Sequence, residues 1–258
     1  MTESFEERKK RFDGLCLADR VLHGSDADGI GTYNEKRFHR IFKRLVTEDA
    51  ECYEAHVGKY IADVLCDGHI TEIQTASFGK LAPKIRYYLD ETDLGVTVVL
   101  PLICEKRVIR ADKETGEIMY VRRSPKKARA IDALSQVYYL RDLLENRRLE
   151  IRAVLVRAEE YRYSERMRYR KKGAYDCDLY PVELVEEISL CGVDDYMRFI
   201  PDELRGMEFD AKQYATVTKL HGRALYSALN TLYAAGLLSR RGEGKKYVYS
   251  LKSNYKFQ

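Results

Sequence analysis

The dipeptide Asp67-Gly68 stands between two runs rich in β-formers, Tyr60 to Cys66 and His69 to Thr75. No other feature constrains the fold of this chain as tightly. An Asp-Gly pair flanked in this way favours a two-residue hairpin, because both central residues of a type I′ turn need positive φ. With that loop Cys66 faces His69, and the pairing runs outward until Asp63 lies opposite Glu72. That pair is of the non-hydrogen-bonded kind, with Cα atoms about 4.5 Å apart. Like charges so placed destabilise a hairpin. Gln74 is expected on the same face as Glu72, since side chains alternate along a strand, and Ala62, Val64, Ile73 and Thr75 on the opposite, core-facing side. A cation between the carboxylates relieves the repulsion, and Mg²⁺ or Mn²⁺ takes such oxygens. The alternative is an exposed sheet face on which both carboxylates meet only water.

The chain has 258 residues, 45 Lys plus Arg against 41 Asp plus Glu, and 45% hydrophobic residues. Those values give room for about two domains with packed cores. No apolar run of about 18 residues occurs, so no membrane-spanning helix is expected. The charged start MTESFEERKKRFDG reads as no secretory signal. Cys16, Cys52, Cys66, Cys104, Cys177 and Cys191 form no CxxC pair, as suits reduced thiols in a cytoplasmic protein. Cys52 and His56 with Cys66 and His69 imitate zinc spacing, but the strand reading sends them to different faces and ends. No Gly-rich phosphate loop and no GxSxG elbow is present.

Charge is segregated. From Val121 to Lys172 there are 16 basic and 7 acidic residues, from Asp176 to Asp210 2 basic and 11 acidic, and from Ala211 onward 9 basic and 1 acidic. Basic blocks either side of an acidic one suit a polyanion such as nucleic acid, although charged faces are often only solvated. Residues 1–33 lack apolar periodicity and read as a loose N-terminal arm. Residues 34–165 carry helical and strand patterns in alternation, including a buried strand over 95–103, a hairpin over 105–123 and an amphipathic helix over 128–145. Residues 166–208 read as an acidic, helical linker. Residues 209–258 read as helix, turn, helix and a Gly-tipped basic hairpin, the order of a winged helix-turn-helix.

Within these blocks Arg122, Arg123, Lys126 and Lys127 surround a strand end and are candidate phosphate contacts. On the second helix of the last segment Arg223, Ser227 and Asn230 fall near i, i+4, i+7, the spacing of a groove-reading face. Lys245 and Lys246 on the hairpin are further phosphate candidates. Winged helices also serve as protein-docking modules, so the segment by itself leaves both uses open.

A helix with a Glu, three strands with Asp on the second and ExK on the third, then a helix and a strand resembles the core of the PD-(D/E)XK nuclease superfamily. Here the corresponding residues are Glu35, Asp63 and Glu72-Ile73-Gln74, with Glu54 a further acidic candidate. Residues 30–130 also look like an uncharacterised prokaryotic family with a nuclease-like core, through Ile61-Ala-Asp-Val64, Glu72-Ile-Gln-Thr75 and Arg122-Arg-Ser-Pro-Lys126. The resemblance implies an α/β restriction-endonuclease-like mixed sheet flanked by helices. It also implies Mg²⁺ or Mn²⁺ on Asp63 and Glu72, and phosphodiester hydrolysis. Gln74 stands where the superfamily has Lys; it can hold a water by hydrogen bonds but supplies neither positive charge nor a base. Lys80 or Lys84 on the next helix could bring a displaced ammonium. The expected partner is nucleic acid, DNA first, with a homodimer left open. Alternatives are a catalytically silent nucleic-acid binder on the same fold and a protein-interaction module.

Overall fold

The computed structural model describes residues 3–23, 32–75, 77–112, 115–164, 176–244 and 246–252, with the backbone alone at 23, 32–36, 164, 176 and 177. Helices α1 (Phe5–His23) and α2 (Thr32–Val46) precede a meander of β1 (Tyr53–Val57), β2 (Tyr60–Cys66) and β3 (His69–Ile73). Helix α3 (Ala82–Glu91) leads to β4 (Gly95–Asp112) and β5 (Ile118–Arg123). A short helix α4 (Leu134–Val137), β6 (Leu149–Ser164) and β7 (Asp176–Leu190) complete a seven-stranded mixed sheet of order β1-β2-β3-β4-β6-β7, with β5 also pairing β4. Strand β4 runs parallel to both β3 and β6, and the other pairs are antiparallel. The fold is thus α/β, a large mixed sheet flanked by helices.

The hairpin register follows the turn chemistry. Val64 pairs Thr71, Leu65 pairs Ile70 and Cys66 pairs His69. Asp67 and Gly68 sit at φ 49° and 73°, the left-handed values a type I′ turn demands.

Two apolar layers cover the sheet. On one face Phe12, Leu15 and Cys16 of α1 and Phe38, Ile41, Phe42 and Leu45 of α2 pack on Val64, Ile73, Val99, Val154 and Val156. On the other, α3 and α4 pack on Ala62, Ile70, Val96, Val98 and Leu100. The expected core side of the hairpin therefore needs correction: Ala62 belongs to one layer, Val64 and Ile73 to the other. Strict alternation fails at Asp63, opposite Glu54, whose φ of 52° breaks the extended geometry of β1.

Residues 1–33 are no loose arm throughout, since α1 is a helix of 19 residues docked on the sheet. Its exposed Leu17, Val21 and Leu22 blur any apolar stripe. It is held largely by polar contacts instead: Arg8 pairs Glu187 at 2.8 Å, Lys9 pairs Glu183 at 2.7 Å, and the buried Asp19 binds Arg37 and Arg40 of α2. The acidic linker is likewise corrected in part. Residues 166–175 lie outside the described residues, and Asp176–Leu190 is β7, an edge strand whose Glu183 and Glu187 are neutralised by α1. The segment 128–145 is not one helix but a 3₁₀ turn, α4 and a second 3₁₀ turn.

The last elements are β8 (Phe209–Asp210), α5 (Ala211–Thr218), α6 (Gly222–Ala234), β9 (Leu238–Glu243) and β10 (Lys246–Leu251), with a three-stranded antiparallel sheet of order β8-β10-β9. Asp210 caps α5, its carboxylate accepting from the Gln213 N–H at 2.9 Å. Among the described residues this unit shares its core with the large sheet. Leu225, Ala228, Leu229 and Leu232 share one cluster with Leu134, Val137 and Leu140, and the Thr231 hydroxyl donates to the Leu134 carbonyl at 3.0 Å. No helix among the described residues is long and apolar enough to cross a membrane.

Candidate functional site

Asp63 sits where β2 parts from β3. Beyond the Val64–Thr71 pair the ladder stops, and the Ile73 N–H donates to Asp63 Oδ2 at 2.8 Å in place of a strand carbonyl. Asp63 Oδ1 faces α2, 3.6 Å from His39 Nδ1 and 3.7 Å from Lys43 Nζ. Burial pushes the Asp63 pKa upward, but the His39 contact, the Ile73 N–H and Lys43 outweigh it and hold the carboxyl below its usual range. Lys43 also pairs with Glu54.

Glu72 points to the other layer. It is 3% exposed; Lys84 Nζ of α3 donates to its Oε2 at 2.7 Å and the Tyr88 hydroxyl to its Oε1 at 3.2 Å. Burial, and next the negative charge of Asp63, pushes its pKa up to about 7 against Lys84 and Tyr88. The Tyr88 hydroxyl is itself driven upward by burial and by Glu72.

Of the expected residues, Lys84 reaches Glu72, while Asp63 turns away to α2. The sequence reading missed His39, Lys43 and Tyr88, which lie on helices distant in sequence and whose i, i+4 spacing (39 and 43; 84 and 88) was the available signal. The two carboxylates do not share one face as the hairpin register alone implied, because each is drawn to a different helix.

Gln74 keeps the strand going through its N–H to the Val99 carbonyl at 2.9 Å, while its side-chain amide reaches the Ser77 carbonyl at 3.4 Å. Lys80 is exposed outside this cluster. Position 35 lies on α2 one turn before His39, and the Glu35 side chain is outside the described residues.

A model for a domain of unknown function, DUF8091, matches residues 36–191, more than half of the chain. The chain belongs to the DUF8091 family. The match runs from α2 to the end of β7, so the DUF8091 region is the large sheet and includes the strand read as linker. An uncharacterized protein of Treponema pallidum (strain Nichols) is 30% identical over 162 residues, covering 61% of this chain and 63% of that protein. The chain therefore spans under two thirds of the length of this curated relative. No solved structure matches it.

The basic candidates divide by environment. Arg122, Arg123, Lys126 and Lys127 are exposed, Arg123 lying only 3.6 Å from Glu105 at its closest. Lys126 lines a cavity of about 420 Å³ beyond the end of β3, with Thr75, Ser77, Lys106 and Gln136. Lys106 is tied to Glu160 there. Arg129 extends to the last elements, donating to the Thr218 carbonyl at the end of α5 at 2.6 Å.

On α6 the expected face is corrected. Ser227 is 7% exposed, turned into the core beside Thr231. Arg223 is exposed and donates to the Tyr139 hydroxyl at 2.6 Å, and Asn230 accepts from Arg240 at 3.0 Å. Lys246 is exposed on the hairpin, 3.8 Å from Asp210, and Lys245 lies outside the described residues.

Proposed function

We propose that this chain is a nucleic-acid-binding protein in which a nuclease-like DUF8091 core and a C-terminal winged helix present one joined basic surface. The observation that carries this reading is the Arg129–Thr218 hydrogen bond. Across 89 residues of sequence, it brings the basic run 122–129 against α5, where the second basic block begins. The acidic block between them is partly consumed internally, as Glu183 and Glu187 pair with Lys9 and Arg8, which leaves those two carboxylates poorly placed to recruit a basic partner protein. The order α2, β1-β2-β3 meander, α3 and parallel β4, with helices on opposite faces, supports the nuclease-like reading of the core. The order β8, α5, α6, β9-β10 supports the winged helix.

The resemblance implies Mg²⁺ or Mn²⁺ on Asp63 and Glu72, and their oxygens are of the hard kind such ions take. As arranged, however, the two carboxylates do not fit one ion. Their oxygens face Ile73 N–H, Lys84, Tyr88 and the His39–Lys43 pair, and they are drawn to opposite layers. Among the described residues no three His, Cys, Asp or Glu side chains gather to hold a metal. We therefore favour binding without hydrolysis. One observation favours the hydrolytic alternative: Glu72, held near neutrality, is a buried acid whose charge its neighbours compensate incompletely.

Gel retardation and cleavage of plasmid, linear duplex, single-stranded DNA and RNA, with Mn²⁺, test the reading. Wild type and Asp63→Ala are expected to retard nucleic acid alike and to cleave nothing. Joint replacement of Arg122, Arg123, Lys126 and Lys127 by Ala is expected to flatten the slope of log affinity against log salt by about 0.9 for each duplex phosphate that is no longer neutralised. Mn²⁺-dependent cleavage abolished by Asp63→Ala establishes the hydrolytic alternative. Absence of retardation at moderate salt overturns nucleic-acid binding itself.

A further inference from the structure

The exposed side of α6 is aromatic. Tyr226, Asn230 and Tyr233 follow one another at i, i+4, i+7, and the two tyrosines are 57% and 40% exposed. Tyr247 on β10 adds a third exposed ring, at 52%. Between helix and hairpin lies a groove of about 380 Å³ lined by Lys212, Tyr226, Asn230, Arg240, Lys246 and Tyr247, with one carboxylate, Asp210, 3.8 Å from Lys246. Arg240 organises it: its guanidinium lies 4.2 Å from the Tyr233 ring centre and 4.7 Å from that of Tyr247, and it donates to Asn230 Oδ1 at 3.0 Å. Two elements, α6 and β10, thus present flat rings beside a cation from β9, at low cost in side-chain entropy on binding because tyrosine has only two χ angles.

Resting on the nucleic-acid reading above, we propose that this groove binds single-stranded nucleic acid by stacking unpaired bases on Tyr226 and Tyr247, with Arg240, Lys212 and Lys246 along the phosphates. Two observations select this occupant. The segment from Ala211 onward holds 9 basic residues and 1 acidic, a charge complementary to a polyanion and repellent to a cationic ligand that an aromatic cage would otherwise suit. Two of the three polar residues that would read base edges in a duplex groove are withdrawn, Ser227 into the core and Asn230 onto Arg240, and the exposed Arg223 is turned to the Tyr139 hydroxyl. What the groove itself exposes is largely π-surface, which meets a base face only where the base is unpaired.

Fluorescence anisotropy of the full chain tests this with four labelled probes of about fifteen units each: oligothymidylate, oligouridylate, an abasic strand and a duplex. Base-bearing single strands are expected to bind about tenfold or more tighter than the abasic strand and the duplex. Tyr226→Ala and Tyr247→Ala are each expected to weaken them about tenfold, with abasic binding unchanged. Both rings are more than half exposed, and unchanged melting temperatures confirm intact folding. The two single strands report whether the sugar matters. Duplex binding equal to single-strand binding and indifferent to the tyrosines overturns this inference and leaves nucleic-acid binding standing. No binding of any probe overturns both.

Discussion

Replacing Glu72 by glutamine is expected to stabilise the folded chain at pH 8 by up to about 3 kcal/mol and to remove most of its pH dependence between pH 5 and 8. Glu72 is 3% exposed, and its pKa rises from an ordinary 4.5 to about 7 through burial and the charge of Asp63. A carboxyl with a raised pKa in the folded state binds its proton more tightly there than in the unfolded chain. Its contribution is therefore fully present below pH ~4.5 and lost as pH rises through ~7. Above that, the ionised side chain is tolerated against the fold. Glutamine keeps the shape and the Tyr88 hydrogen bond without the charge, and Lys84, at 19% side-chain exposure, can turn its ammonium to water. Urea denaturation of both proteins across that pH range measures the effect, and parallel curves would show that Lys84 fully compensates Glu72. Repeating the wild-type series with millimolar Mn²⁺ separates the two readings of the site. An ion held by Glu72 raises wild-type stability at pH 8 and does not do so in Glu72→Gln, whereas a closed ion-pair framework is indifferent.

Removing the carboxylate of Asp19 is expected to cost about 3–5 kcal/mol, because breaking a buried ion pair leaves an uncompensated charge. Asp19 is 2% exposed and joins α1 to α2, lying 3.3 Å from Arg37 Nε and accepting from Arg40 as well. Arg37, 4% exposed, also donates to the Leu179 carbonyl at 3.2 Å and lies 3.8 Å from the Tyr180 ring centre, which ties both helices to β7. In Asp19→Ala the guanidinium stays buried with its charge unbalanced, and the melting temperature is expected to fall by roughly 10 °C. Asp19→Leu combined with Arg37→Met removes both charges and should recover much of the loss. A single variant within 1 kcal/mol of wild type would mean that water reaches Arg37 once the carboxylate is gone.

The elements legible in the sequence are those whose signal is local. Asp67 and Gly68 announced their turn, and the strand around 95–103 announced itself as an apolar run because both faces of the sheet are covered. Helix α1 escaped because ion pairs to β7 and α2 do much of its anchoring and only Phe12, Leu15 and Cys16 fill the core. Strand β7 escaped for the complementary reason. As an edge strand bearing the acidic partners of α1, it has the composition of a linker. Ser227 looked like a surface residue by spacing, yet α6 is rotated so that its 227 and 231 positions meet α4, which no periodicity within α6 could fix.

For the candidate site the division is sharper. The sequence determined the turn at Asp67-Gly68 and the register from Cys66–His69 as far as Val64–Thr71, since a two-residue turn sets pairing without help from the rest of the chain. It also determined the charge blocks, which are composition. Only the tertiary structure decided that the two carboxylates part, Asp63 toward His39 and Lys43 on α2, Glu72 toward Lys84 and Tyr88 on α3. The reason is that a carboxylate leaving water turns to whichever donors the packed layers offer, and those donors come from helices whose position depends on both cores at once.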